Sequence, residues 1–149
     1  MAMIDELLEM SDAQTPSSKS SGNKNMSEDV IDLGAAGTDG WGTSLANRIG
    51  GTGLKWHLQV NTALVGSSAA VICELKTHTA TSMKSAGTTI IRHTIPAASA
   101  AGYRRSFGLP LQFSPNRYIA TLYTISGAAL TSGKFDSWLA PDTGDMPLS

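Results

Sequence analysis

"LKWHLQV", residues 54–60, alternates without a break: Leu54, Trp56, Leu58 and Val60 are apolar, and Lys55, His57 and Gln59 are polar. A side-chain period of two places the first set on one face of an extended strand and the second on the other. The stretch therefore predicts a half-buried strand with Trp56 in the core. One such strand cannot stand alone, so its neighbours must be found elsewhere in the chain.

Working outward, the same signature recurs. "AAVICELKTHT" (69–79) sets Val71, Cys73 and Leu75 against Glu74 and Lys76. "TTIIRHTI" (88–95) is β-branched almost throughout and stops at Pro96. "GYRRSFGLP" (102–110) carries Tyr103 and Phe107 on one side, and "NRYIATLYTI" (116–125) is apolar on both faces, as a central strand is. "GKFDSWLA" (133–140) turns Phe135 and Leu139 inward and leaves Trp138 on the opposite face. Upstream, "DVIDLG" (29–34) opens the β region. Turn-forming runs such as "VGSS", "KSAG", "IPAASAAG" and "SGAALTSG" separate these segments, and no interior stretch has helical periodicity. The expected fold is all-β: an antiparallel β-sandwich or jelly roll of about eight strands.

The ends of the chain read differently. Ile4, Leu7 and Leu8 lie at helical spacing in "MAMIDELLEMSDAQ" (1–14), with Asp5, Glu6 and Glu9 on the other side. "TPSSKSSGNKNMSE" (15–28) has the small polar composition of a flexible linker. Residues 1–28 are thus expected to be an extended N-terminal arm and residues 29–149 the sandwich domain. The glycine-rich run 35–53 is longer than most loops of a compact domain and carries Trp41.

The totals exclude several functions. Charged residues are 15 % of the chain, with 11 Lys plus Arg against 12 Asp plus Glu and a net charge of −1. Such a chain lacks the basic excess that neutralises phosphates, so no nucleic-acid partner is expected. No run approaches the ~20 apolar residues of a membrane helix, and no membrane partner is expected either. The single cysteine, Cys73, permits neither an intrachain disulfide nor a thiolate cage. His57, His78 and His93 are not at metal-ligand spacing, and the strand histidines read as polar positions on exposed faces. No paired carboxylates sit in an aromatic-rich groove. No catalytic, cofactor or metal residues are expected.

What remains are candidate protein contacts. "YRRSF" (103–107) is the one basic–aromatic cluster; Tyr103, Arg104 and Arg105 suit the rim of a protein interface, where arginine and aromatics are enriched. Trp41 and Trp138 either anchor a partner or fold back on their own domain. Ile4, Leu7 and Leu8 would bury themselves against something.

Five blocks in order, "MSDAQ" (10–14), "DVIDLGAA" (29–36), "AAGYRRSFGLPL" (100–111), "NRYIATLYTISG" (116–127) and "LTSGKFDSWLAPD" (130–142), resemble the capsid cement (decoration) proteins of tailed phages, of the Bordetella-phage type. The resemblance implies a jelly roll made in the bacterial cytoplasm and bound to the outer surface of the virion head. It further implies pairing with itself as a homodimer at two-fold positions and clamping of major capsid protein subunits, with no cofactor. The linker 15–28 and the loop holding Gly37 to Asn47 are longer than the family pattern. A β-sandwich carbohydrate-binding or hydrolytic module is the alternative. On the cement reading, removal of residues 1–14 is expected to leave a folded domain that occupies heads less well.

Overall fold

The computed structural model describes residues 9–16, 19–32, 54–109 and 117–141. The alternating stretch is the start of a longer strand, β4 (Leu54–Val65), with Trp56, Leu58, Val60 and Leu64 buried on its inner face. β4 pairs on one side with β9 (Ser132–Pro141) and on the other with β7 (Arg104–Gly108). β1 (Glu9–Gln14) adds to the free side of β9, giving the order β1-β9-β4-β7.

The second sheet is built around β8 (Tyr118–Ser126), the run that is apolar on both faces. On one side it pairs with β5 (Ala70–His78), which pairs in turn with β6 (Thr88–Ile95). On the other side it pairs with β2 (Lys24–Met26) and β3 (Ile31–Asp32). All pairs are antiparallel, and the described residues contain no helix. The two sheets pack face to face as a β-sandwich. Val71, Cys73 and Leu75 of β5 and Ile119, Tyr123 and Ile125 of β8 meet Trp56, Leu58, Phe135 and Leu139 of the first sheet. The Tyr123 and Phe135 rings stack with centroids 5.0 Å apart. Burial raises the Cys73 thiol pKa well beyond its ordinary range, the behaviour of a packing residue rather than a nucleophile.

The arm expected over residues 1–28 differs in its described part. Two of the nine strands among the described residues, β1 and β2, lie within it and belong to the two sheets. Their polar composition conceals this, because apart from Met10, which joins the core, the buried side chains Ser11 and Gln14 are satisfied by hydrogen bonds. Gln14, only 6 % exposed, is the centre: its Oε1 accepts from Ser11 Oγ (2.6 Å) and Glu28 N–H (3.1 Å), and its Nε2 donates to the Met26 carbonyl (2.6 Å). Tyr123 of β8 donates to Ser11 Oγ, and the Asp29 N–H donates to the Met10 carbonyl, at 3.0 Å in both cases. One flank of the sandwich is therefore stitched from sheet to sheet by backbone and amide groups.

The outer face of the second sheet is partly covered by its own chain. The connection between β5 and β6 brings Met83, fully buried, over the sheet. Lys76 Nζ donates to the Met83 carbonyl (2.9 Å), and the Met83 N–H meets Met26 Sδ (3.3 Å). Ala120 and Leu122, which register sets beside Lys76 and Met26, are buried there.

Gln14→Leu leaves the Met26 carbonyl, the Glu28 N–H and Ser11 without a shared partner, and is expected to cost about 2–4 kcal/mol in urea unfolding; a cost under about 0.5 kcal/mol would show that the flank is held elsewhere. Gly127 has φ +85° and a Cβ there would collide with the Ser68 carbonyl oxygen, so Gly127→Ala is expected to lower stability by at least about 2 kcal/mol. Removing residues 1–14 deletes β1 with its amide, so it is expected to unfold the first sheet's edge; the arm is tested cleanly by removing residues 1–8 alone.

Candidate interaction surface

The opposite flank is built differently. Here β6 and β7, the edge strands of the two sheets, lie side by side across the sandwich, and side chains rather than backbone groups bridge them. His93 of β6 points inward on the same face as Ile91 and Ile95, since register sets it opposite Cys73. Its Nε2 is hydrogen-bonded to Tyr103 Oη at 3.0 Å, and its ring lies 5.1 Å from that of Phe107. Phe107 in turn lies 5.7 Å from Trp56. Ile90, Ile91, Tyr103 and Phe107 pack on the core and remain half-buried. The flank thus presents an aliphatic and aromatic floor.

The loop before β7 fixes that floor. Ala98 and Gly102 take positive φ, 59° and 90°, and Ser99 Oγ donates to the Pro96 carbonyl at 2.7 Å. The loop is pinned to β4 by Leu64 N–H to Ser99 O, Gly102 N–H to Val60 O and Val60 N–H to Tyr103 O, all within 2.9 Å. Tyr103 is consequently positioned by main chain on both sides, a rigid support for a contact residue.

The predicted cluster "YRRSF" splits between two surfaces. Arg105 is exposed; its guanidinium lies 4.5 Å above the Tyr103 ring and its Nη1 donates to the Arg104 carbonyl at 2.8 Å. No acidic group pairs with Arg105 among the described residues. Arg104 points the other way, onto the outward face of the first sheet, with its guanidinium 5.5 Å from the centre of the Trp138 ring. Alternation along a strand forces this divergence.

Trp138 lies opposite Phe135 and Leu139 as expected, but it is 1 % exposed. It stacks on His57, with ring centroids 5.2 Å apart and planes 10° from parallel. His57, expected on an exposed face, is also buried, because it is the cross-strand neighbour of Trp138. Its Nε2–H donates to the Ala140 carbonyl (3.2 Å), which leaves Nδ1 to accept from the Ser106 hydroxyl (2.7 Å). Of the two alternatives for Trp138, the structure has the one in which it folds against its own domain. Its Nε1 has no hydrogen-bond partner among the described residues. Ile4, Leu7, Leu8 and Trp41 lie outside the described residues.

His93 was the residue that composition overlooked. The signal was in the alternation of "TTIIRHTI", where Ile91, His93 and Ile95 share one face. Among the described residues no three His, Cys, Asp or Glu side chains gather as metal ligands, and no helix is long and apolar enough to cross a membrane. The nearest thing to an acid site is Asp136, half-buried, whose carboxyl pKa is raised by burial while the Ala13 N–H and Asn61 hold it down. It acts as a structural acceptor for the β1 bulge. No protein-family model matches this chain, and neither does any curated protein.

The His93 pKa is lowered from 6.5, first by burial and then by the positive charge of Arg105. The unfolded chain therefore takes up the proton first: stability is full above about pH 6.5 and is lost as pH falls from there through the folded value. Urea unfolding at about pH 7.5 and about pH 5.5 is expected to show this loss, and His93→Gln is expected to reduce the difference. An identical pH difference in the variant would show that His93 does not titrate against the fold.

Proposed function

We propose that this chain is a structural clasp, a capsid cement (decoration) protein that binds the outer surface of a tailed-phage head and bridges major capsid protein subunits. The observation that carries the reading is the open flank. Among the described residues the sandwich gathers Tyr103, Phe107, Ile90, Ile91 and Arg105 on one side as a contact floor.

Two further features support it. The ordered sequence blocks that resemble the cement proteins coincide with β1, β3, β7, β8 and β9 over their described parts. The jelly-roll part of the reading is supported by strand order. If β2 and β3, both paired with β8, count as one interrupted strand, each sheet has four positions, β1-β9-β4-β7 and β2/β3-β8-β5-β6. Strands adjacent in sequence then fall repeatedly in facing sheets, as in a doubled Greek key. On this reading the chain resides on the virion, pairs with itself at two-fold positions and has no chemistry to perform. Many copies on one lattice turn modest individual affinity into firm retention.

The full chain mixed with purified undecorated heads is expected to bind saturably in sedimentation, with ordered copies on the outside in cryo-electron microscopy. Tyr103→Ala combined with Arg105→Ala is expected to weaken loading about tenfold or more; Arg105→Glu, at an exposed position, gives the same readout without opening the core. Heads that stay bare at saturating protein, or a melting temperature raised by a sugar in their place, would overturn the reading.

A further inference from the structure

The geometry points to strand addition at this flank: an extended, acidic segment of the protein partner pairs with the free edge of β6 and lays its alternate apolar side chains on Tyr103 and Phe107. The inference rests on the reading above that the chain works by holding a protein partner, and it names the chemistry of the segment held.

Three observations converge on it. First, the edges are free: among the described residues β6 pairs only with β5, and β7 only with β4. β6 runs for 8 residues without proline, lysine or acid; against edge pairing it carries Arg92 and an irregularity at Ile90, beyond which Ile91 to Ile95 keep regular register with β5. Its outer row of N–H and C=O groups is a template for another strand. Second, the side chains fit a strand's two faces. The inner side offers the half-buried Ile91, Tyr103 and Phe107, and the outer side offers exposed Thr89, Arg92 and Thr94.

Third, the charges are sorted. Neither β6 nor β7 carries an acid, while Arg92 and Arg105 are exposed on them. Among the described residues, Glu74 of the neighbouring β5 sits opposite Arg92 in register and accepts from Thr89 Oγ1 at 2.7 Å. Asp12, Glu28, Asp29 and Asp32 all belong to the stitched flank. With exposed Arg92 and Arg105 and no acid on β6 or β7, a segment carrying carboxylates is attracted to this side and a basic segment is not.

The test uses the full chain and a short blocked peptide in which valine alternates with threonine and glutamate. Two companion peptides replace glutamate by lysine, or carry N-methyl groups on alternate amides. The acidic peptide is expected to slow hydrogen exchange at β6 amides and to bind at least about tenfold more tightly than the lysine peptide. The N-methyl peptide, which keeps the side chains but loses main-chain donors, is expected to lose that protection. Arg92→Glu with Arg105→Glu is expected to reverse the charge preference. Protection confined to other strands, equal binding of the lysine peptide, or full binding of the N-methyl peptide would overturn strand addition. Head loading separates the two claims. A chain that protects β6 with peptide yet ignores heads removes the capsid reading alone. One that loads heads while β6 stays unprotected, with or without peptide, removes strand addition alone.

Discussion

A two-sheet sandwich has two flanks, and the backbone groups at each must find partners or face water. In this protein a single amide side chain decides how that constraint is met. Gln14 holds β1 to the β2–β3 segment through two hydrogen bonds and links, through a third from Ser11, to Tyr123 in the facing sheet. With one flank closed in this way, the sheets are hinged at a fixed angle and the other flank need not be closed by backbone at all. Side chains suffice there: His93, Tyr103 and Phe107 reach across from β6 to β7. The asymmetry between a stitched side and an open side is the feature on which any account of function depends.

Much of the fold was legible because it was written in alternation. Trp56, Leu58 and Val60 sit in the core as their spacing requires, and so do Val71, Cys73 and Leu75. β8 is central, as its two apolar faces imply. The failures share one cause. β1 read as the end of a short amphipathic segment and β2 as linker because Ser11, Gln14 and Asn25 are polar, yet all three are buried, and Ser11 and Asn25 meet β8 about a hundred residues away. Local composition cannot report a partner that distant. His57 and Trp138 illustrate the same limit: each is one residue out of the core phase, and only their pairing across β4 and β9 buries both.

The candidate contacts were legible in identity and less so in arrangement. Tyr103 and Arg105 form one stacked unit on the open flank, whereas Arg104, their neighbour in sequence, belongs to the Trp138 face. A cluster of five adjacent letters is thus two surfaces in space. The flank contact gains from this, because the Tyr103 ring has the Arg105 guanidinium over it and the His93 ring beside it. A protein whose task is to hold, on the reading proposed, is served by such pre-set aromatic geometry more than by any reactive group.

The pairing of β1 with β9 also dictates when the molecule comes into being. Ala13 and Asp136, joined by a hydrogen bond, are 123 positions apart. A ribosome must therefore extrude nearly all the strands before the earliest can dock, and non-local pairing of this kind is slow to nucleate. The nascent polypeptide passes through a period in which Met10, Trp56 and Leu58 lack the cover of β9, so its yield in the cell depends on how quickly that last strand arrives.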